Sequence, residues 1–214
     1  MNITLYYAPT ACSLVPYVTL TEAGAPFTVE KVNLRTQQQM SADYLKLNPK
    51  HKVPVLVVDG KTLTENIAIQ QFIARSFPAA KLLPSDPWAE LQAISLMSWC
   101  AAGIHPFLSR INAPIRVSGV AGTEESVKKI ALDALDENFK ILDGKLAGHD
   151  YFFDHFTAVD AYFYWCFRRA VQLGVTAAAY PNCNAHFMRM EQRPSVIKVL
   201  QFEKDTMAQF AKAA

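Results

Sequence analysis

Between residues 3 and 76 the hydrophobic period switches repeatedly between strand and helix, and this alternation constrains the fold more than any other feature. Ile3 to Tyr7 is strand-like, Ser13 to Ala23 has helical spacing closed by Gly24, and Phe27 to Leu34 returns to strand alternation. That is a βαβ unit, whose two strands must lie parallel because a helix carries the chain back. A short helical stretch from Ser41 to Lys46 leads into Val55 to Val58 and Thr62-Leu63, which flank Asp59-Gly60. This dipeptide suits a two-residue hairpin, in which both central residues adopt positive φ. Glu65 then opens a helix to about Ser76. A parallel crossover combined with an antiparallel hairpin requires a mixed sheet, so the fold class of this part is α/β.

The stretch FPAAKLLPSDP, residues 77–87, carries three prolines and little periodicity. The chain therefore divides into a domain over residues 1–78, a linker over 79–87 and a domain over 88–214 that reads all-α. Trp88 to about Ile104 is strongly apolar and is interrupted by Pro106 and Pro114, each of which removes a helical donor, so a kink or break is expected near His105. Residues 123–147 place Val127, Ala131, Leu135, Phe139, Leu142 and Leu146 on one side of an amphipathic helix that ends at Gly148. Thr157 and Asp160 form a capping-box pattern ahead of a helix that is apolar nearly all round until Arg168, as expected for one running through the middle of its domain. Pro181 opens another helix to Gln192, and Pro194 resets the chain before the last.

With 214 residues, 51% of them hydrophobic, the chain can bury a sizeable core. Its 21 basic and 19 acidic residues are scattered, with a net charge of +2, so no nucleic-acid partner is expected. No uninterrupted apolar run approaches the roughly 20 residues of a bilayer span, and no membrane partner is expected. The opening Met1 to Tyr7 lacks the basic start and apolar core of a signal peptide, and a cytoplasmic location is expected. Cys12, Cys100, Cys166 and Cys183 are far apart and show no zinc spacing, so no metal is expected and all four should be free thiols.

Cys12 lies where the first strand hands over to the first helix. Unpaired backbone N–H groups and the positive end of a helix dipole lower a thiol pKa, which makes Cys12 the candidate reactive thiol. Position 15 is Val, so the resolving cysteine of a dithiol cycle is missing and monothiol chemistry remains. Pro54 cannot donate to a sheet and sits at a strand start; Val53-Pro54 is a candidate cis peptide whose Val53 N–H and C=O would pair with an extended ligand. Glu65 and Asn66 begin a helix, with backbone donors suited to a ligand carboxylate and a Glu65 side chain suited to an ammonium.

Together LYYAPTACSLVPYVTLTEAG, LKLNPKHKVPVLVVDGKTLTENIAI and DHFTAVDAY resemble a bacterial glutathione S-transferase, of the beta class or a close relative with a cysteine in the first loop. The resemblance implies a thioredoxin-like N-terminal domain, an all-helical C-terminal domain, glutathione as co-substrate, a homodimer and a role in detoxification. It places Cys12 against the glutathione sulfur, Val53 and Pro54 on the cysteinyl backbone, Glu65 and Asn66 on the γ-glutamyl end, and His105 near the thiol. Ser13 or a tyrosine of the first loop is the alternative donor to that sulfur. The family usually has Ser or Gly in place of Asn66, and beta-class members often carry Lys in place of Pro106. The electrophile pocket is expected between the first loop and the kinked helix, with Phe107, Leu108, Ile111 and Ile115 as apolar walls. The implied reaction is conjugation of glutathione to a small electrophile. The alternatives are glutaredoxin-like transfer through a Cys12–glutathione mixed disulfide, and non-catalytic carriage of glutathione or an apolar ligand.

Overall fold

In the computed structural model, which describes residues 1–212, β1 (Ile3–Tyr7), α1 (Leu14–Glu22) and β2 (Thr28–Lys31) form the parallel crossover. After α2 (Ala42–Leu47), β3 (Val55–Val58) and β4 (Lys61–Thr64) make the hairpin, and α3 (Asn66–Ser76) follows. The sheet order is β2-β1-β3-β4, with β1 antiparallel to β3. Leu5 pairs opposite Leu56, and both are fully buried. Asp59 and Gly60 both have positive φ, 46° and 80°, as the tight turn requires. This is the thioredoxin-like arrangement, with α1 and α3 packed on each other.

Strand β2 is shorter than the expected Phe27 to Leu34. It is an edge strand paired only with β1, and the chain turns away where Asn33 Oδ1 accepts from the Arg35 N–H (3.1 Å) and the Thr36 hydroxyl donates to the Asn33 carbonyl (3.2 Å).

Two compact units result: Met1–Leu83 together with the chain from Gln192 onward, and Pro84–Glu191. The last helix, α10 (Pro194–Lys212), thus groups with the N-terminal unit, whereas the sequence reading put it in the 88–214 domain. Its apolar face lies on α1, with Phe202 against Tyr7 and Tyr17 at ring distances of 5.4 and 5.3 Å. The Glu22 carboxylate accepts from Arg193 Nε (3.0 Å) and Nη2 (2.8 Å) and from the Ser195 hydroxyl.

The second unit is built of α4 (Pro87–Trp99), α5 (His105–Asn112), α6 (Ile115–Ser118), α7 (Glu124–Lys145), α8 (Ala158–Gln172) and α9 (Pro181–Glu191). Helix α8 is buried along most of its length and packs against α4, α5 and α9. The Thr157–Asp160 capping box is present. The expected break near His105 takes the form of a π-helical turn, Cys100–Ile104, that joins α4 to α5 without interrupting the helix. Pro106 has no N–H for the carbonyl four residues back, and widening the preceding turn accommodates the missing bond. The segment Pro87–Asn112 is long and apolar enough to cross a membrane by length and composition. Here it is a bundle helix, with Ala93, Met97, Cys100 and Ile104 packed inward.

Gly103 in that turn makes room for an indole. A Cβ there would lie 2.4 Å from Trp99 Cδ1 and 2.8 Å from its Nε1, the atom that donates to Asn138 Oδ1. Gly103→Ala should therefore displace the indole, break that hydrogen bond and destabilise the second unit by about 1–3 kcal/mol, measured by urea unfolding. Unchanged unfolding would show that the indole relocates freely.

Candidate active site

The loop from β1 to α1 is held by its own hydrogen bonds. Ser13 Oγ accepts from the Ala8 N–H (3.0 Å) and donates to the Ala8 carbonyl (3.2 Å), and Ser13 is fully buried. Glu203 of α10, itself buried, accepts from the Thr10 N–H (2.7 Å) and the Tyr7 hydroxyl (3.1 Å). The hydroxyls of Ser13 and Tyr7, considered as alternatives to Cys12, are thus committed to the fold. Glu203 is a loop anchor that sequence reading missed; it stands 193 residues from Thr10 on a helix assigned elsewhere.

Cys12 sits two residues before α1, its thiol donating to the Val53 carbonyl at 3.5 Å. The Val53-Pro54 bond is cis, as the sequence suggested. The turn around it is fixed by Tyr44 Oη and Asn48 Nδ2, which donate to the Lys52 carbonyl at 2.8 and 2.7 Å.

Burial pushes the Cys12 thiol from its ordinary 9.0 up to about 12; its backbone N–H pulls downward, Glu65 pushes upward, and the Lys52 charge and the Asn66 side chain pull downward. The sequence reading expected the opposite direction. Burial is the main reason, and the helix start offers little against it: the Leu14 and Val15 N–H groups already donate to the Ala11 and Cys12 carbonyls at 3.1 and 3.2 Å.

The raised value fixes the sign of a pH effect. The folded thiol holds its proton more tightly than the unfolded one, so its stabilising contribution is full below 9.0 and is lost as pH rises toward 12. Urea unfolding over that window should show wild type losing stability faster than Cys12→Ala. Parallel curves would mean that Cys12 is not held neutral by burial.

Asn66 and Glu65 also lie at this loop. Asn66 is only 6% exposed, and its Nδ2 donates to the Cys12 carbonyl at 3.1 Å, so its side chain turns inward instead of facing outward to a ligand's γ-glutamyl end. Glu65 caps α3 at φ 70°, a conformation that non-glycine residues rarely adopt, and its exposed carboxylate pairs with Lys50. Cys12, Val53, Pro54, Glu65 and Asn66 are therefore brought together within the first unit.

The remaining expected residues belong to the second unit. His105 begins α5, its ring edge-on to Trp165 at 4.5 Å. Leu108 and Ile111 pack into the helical core, at 2% and 8% exposure, rather than walling an open pocket; α5 turns that face onto α7 and α8. Phe107 lies beneath the Arg110 guanidinium (4.7 Å), and Ile115 is exposed. A cavity of about 400 Å³ in this unit is lined by Leu96, Trp99, Lys145 and Phe152, among others, and by none of the four expected residues. Among the described residues no cluster of His, Cys, Asp or Glu is arranged to hold a metal ion.

Comparison with known proteins places these features in a family. Residues 1–75 match the model of the glutathione S-transferase N-terminal domain, and residues 97–194 that of the C-terminal domain. The chain is 30% identical over 203 residues to glutathione S-transferase GstA of Escherichia coli O157:H7, covering 93% of this chain and 98% of that one. Among solved structures it is similar to a sphingomonad glutathione S-transferase complexed with glutathione (TM-score 0.83, 33% identity, 94% and 98% of the two chains). It is also similar to the beta-class enzyme of Sphingomonas chungbukensis (TM-score 0.81, 33% identity, the same coverage). A thioredoxin-like sheet bearing a cysteine loop beside a cis-proline turn, a helical second unit, and matches across both parts make this chain a bacterial, beta-class-like member of the glutathione S-transferase family.

Proposed function

We propose that the protein conjugates glutathione to small electrophiles, with Cys12 acting as a neutral thiol that donates a hydrogen bond to the glutathione thiolate. The observation that carries this reading is the buried Cys12 S–H, held protonated and already aimed as a donor at the Val53 carbonyl. Rotation about the Cys12 side chain would pass that hydrogen bond from Val53 to the ligand's sulfur, while the Val53 carbonyl accepts the cysteinyl N–H of glutathione in its place. The Cys12 thiol and the Val53 carbonyl each keep a hydrogen-bond partner, and the negative sulfur gains a fixed donor in a water-poor site. Glutathione sulfur then attacks the electrophilic carbon, and the leaving group departs with its electron pair.

Glu65 meets the γ-glutamyl ammonium, sharing its charge with Lys50. The protein works as a homodimer in the cytoplasm, in detoxification. The exposed Trp88 and Leu91 of α4 support pairing. Titration calorimetry with glutathione, followed by a conjugation assay with a chromogenic aryl halide, tests the reading. Binding with turnover is expected; an absence of glutathione binding would overturn it.

A further inference from the structure

We infer that Asn66 is a positioning residue for Cys12, clamping the first loop to the start of α3; only its catalytic consequence rests on the glutathione reading above. Asn66 Nδ2 donates to the Cys12 carbonyl at 3.1 Å from 54 positions along the chain, and the contact is buried. A carbonyl can only accept, so the N–H end of the amide must face it, and the orientation of the side chain is fixed. The consequence is a buried Asn66 Oδ1 with no partner. A buried acceptor left unpaired opposes folding, yet this amide accepts that cost to hold one carbonyl.

The carbonyl is that of the thiol-bearing residue. Ser13 grips the loop at Ala8 and Glu203 grips it at Thr10, so Asn66 is the side chain that reaches Cys12 itself from another element. The Cys12 carbonyl also accepts the Val15 N–H at 3.2 Å, which ties the clamp to the first turn of α1. Held from both sides, the peptide at Cys12 cannot tilt, which keeps the base of the side chain in place beside the Val53 carbonyl, 3.5 Å from the thiol. Asn66 thus transmits the placement of α3, where Glu65 stands, to the sulfur.

The test uses Asn66→Ala and Asn66→Asp in the full chain. Iodoacetamide labelling of Cys12 without ligand is followed by peptide mass spectrometry, each variant being divided by wild type at the same pH. Asn66→Ala should label Cys12 about tenfold faster, and in the conjugation assay its kcat should fall about tenfold with the glutathione KM little changed, the size expected for one lost buried hydrogen bond. At neutral pH the Asn66→Asp ratio should depart from one, because a carboxylate there opposes the Cys12 carbonyl and, like Glu65, pushes the thiol pKa up. Its ratio should return toward one as the carboxyl protonates and donates. A merely structural defect would leave the ratio away from one even after the carboxyl is protonated. Wild-type labelling in both variants, or a pH-independent ratio in Asn66→Asp, would overturn the inference. Should Asn66→Ala fail to fold, the pH dependence of Asn66→Asp decides alone. Failure of the glutathione reading would appear separately, as wild type that binds no glutathione while the labelling pattern persists.

Discussion

Asp160→Ala should destabilise the second unit by about 3–5 kcal/mol, the largest loss expected of any single substitution considered for this protein. The side chain is fully buried and is used at both oxygens. Oδ2 accepts from the Thr157 N–H at 2.7 Å and the Thr157 hydroxyl at 2.9 Å; Oδ1 accepts from the Phe152 N–H at 3.1 Å and contacts His186 Nε2 at 3.1 Å. One carboxylate therefore starts α8, fixes the approach to it and orients a histidine from α9. Deleting it strands these donors where water cannot replace the partner, and His186 Nδ1 is already without one. Asp160→Asn keeps the shape but turns an N–H toward at least one of the donors, so it should recover only part of the loss. Urea unfolding followed by tryptophan fluorescence reads this through Trp99 and Trp165. A loss below 1 kcal/mol for Asp160→Ala would show that the capping network is replaceable.

The second large effect is on chemistry. Cys12→Ala should retain glutathione binding, because the Val53 backbone and Glu65 remain, while kcat for conjugation falls about a hundredfold, the usual size for removing one donor to a developing or bound anion. Cys12→Ser keeps an S–H-like donor in the form of a hydroxyl and should recover much of that loss. The pair separates the proposed role from its rivals. If Cys12 works by forming a mixed disulfide with glutathione, serine cannot replace it, and disulfide reduction disappears in both variants. If the protein only carries glutathione, wild type binds the ligand with neither activity.

Much of the first unit was legible because period switching, Asp59-Gly60 and the glycine stop at Gly24 each force a local geometry that the fold reuses. The Val53-Pro54 turn and the Thr157–Asp160 cap were readable for the same reason: both are local. What escaped was long-range. Nothing in the spacing of α10 distinguishes a helix of the second domain from one that returns to α1, because both destinations ask for the same apolar stripe. The direction of the Cys12 shift also depended on distant facts. A strand-to-helix junction promises free donors, but here the backbone has already used the Leu14 and Val15 N–H groups, and desolvation wins. Leu108 and Ile111 were named as pocket walls from hydrophobicity, a property that core and pocket residues share; only packing shows that α5 turns them inward.

The central claim is that Cys12 keeps the glutathione sulfur ionised by donating to it. Ultraviolet absorbance of the bound thiolate, titrated against pH on wild type, Cys12→Ala and Cys12→Ser, measures this directly. On wild type the sulfur should ionise about one to two pH units below free glutathione, the worth of one hydrogen bond to a charged group. It should return toward the free value on Cys12→Ala and fall again on Cys12→Ser. The same ionisation midpoint on all three proteins would contradict the account.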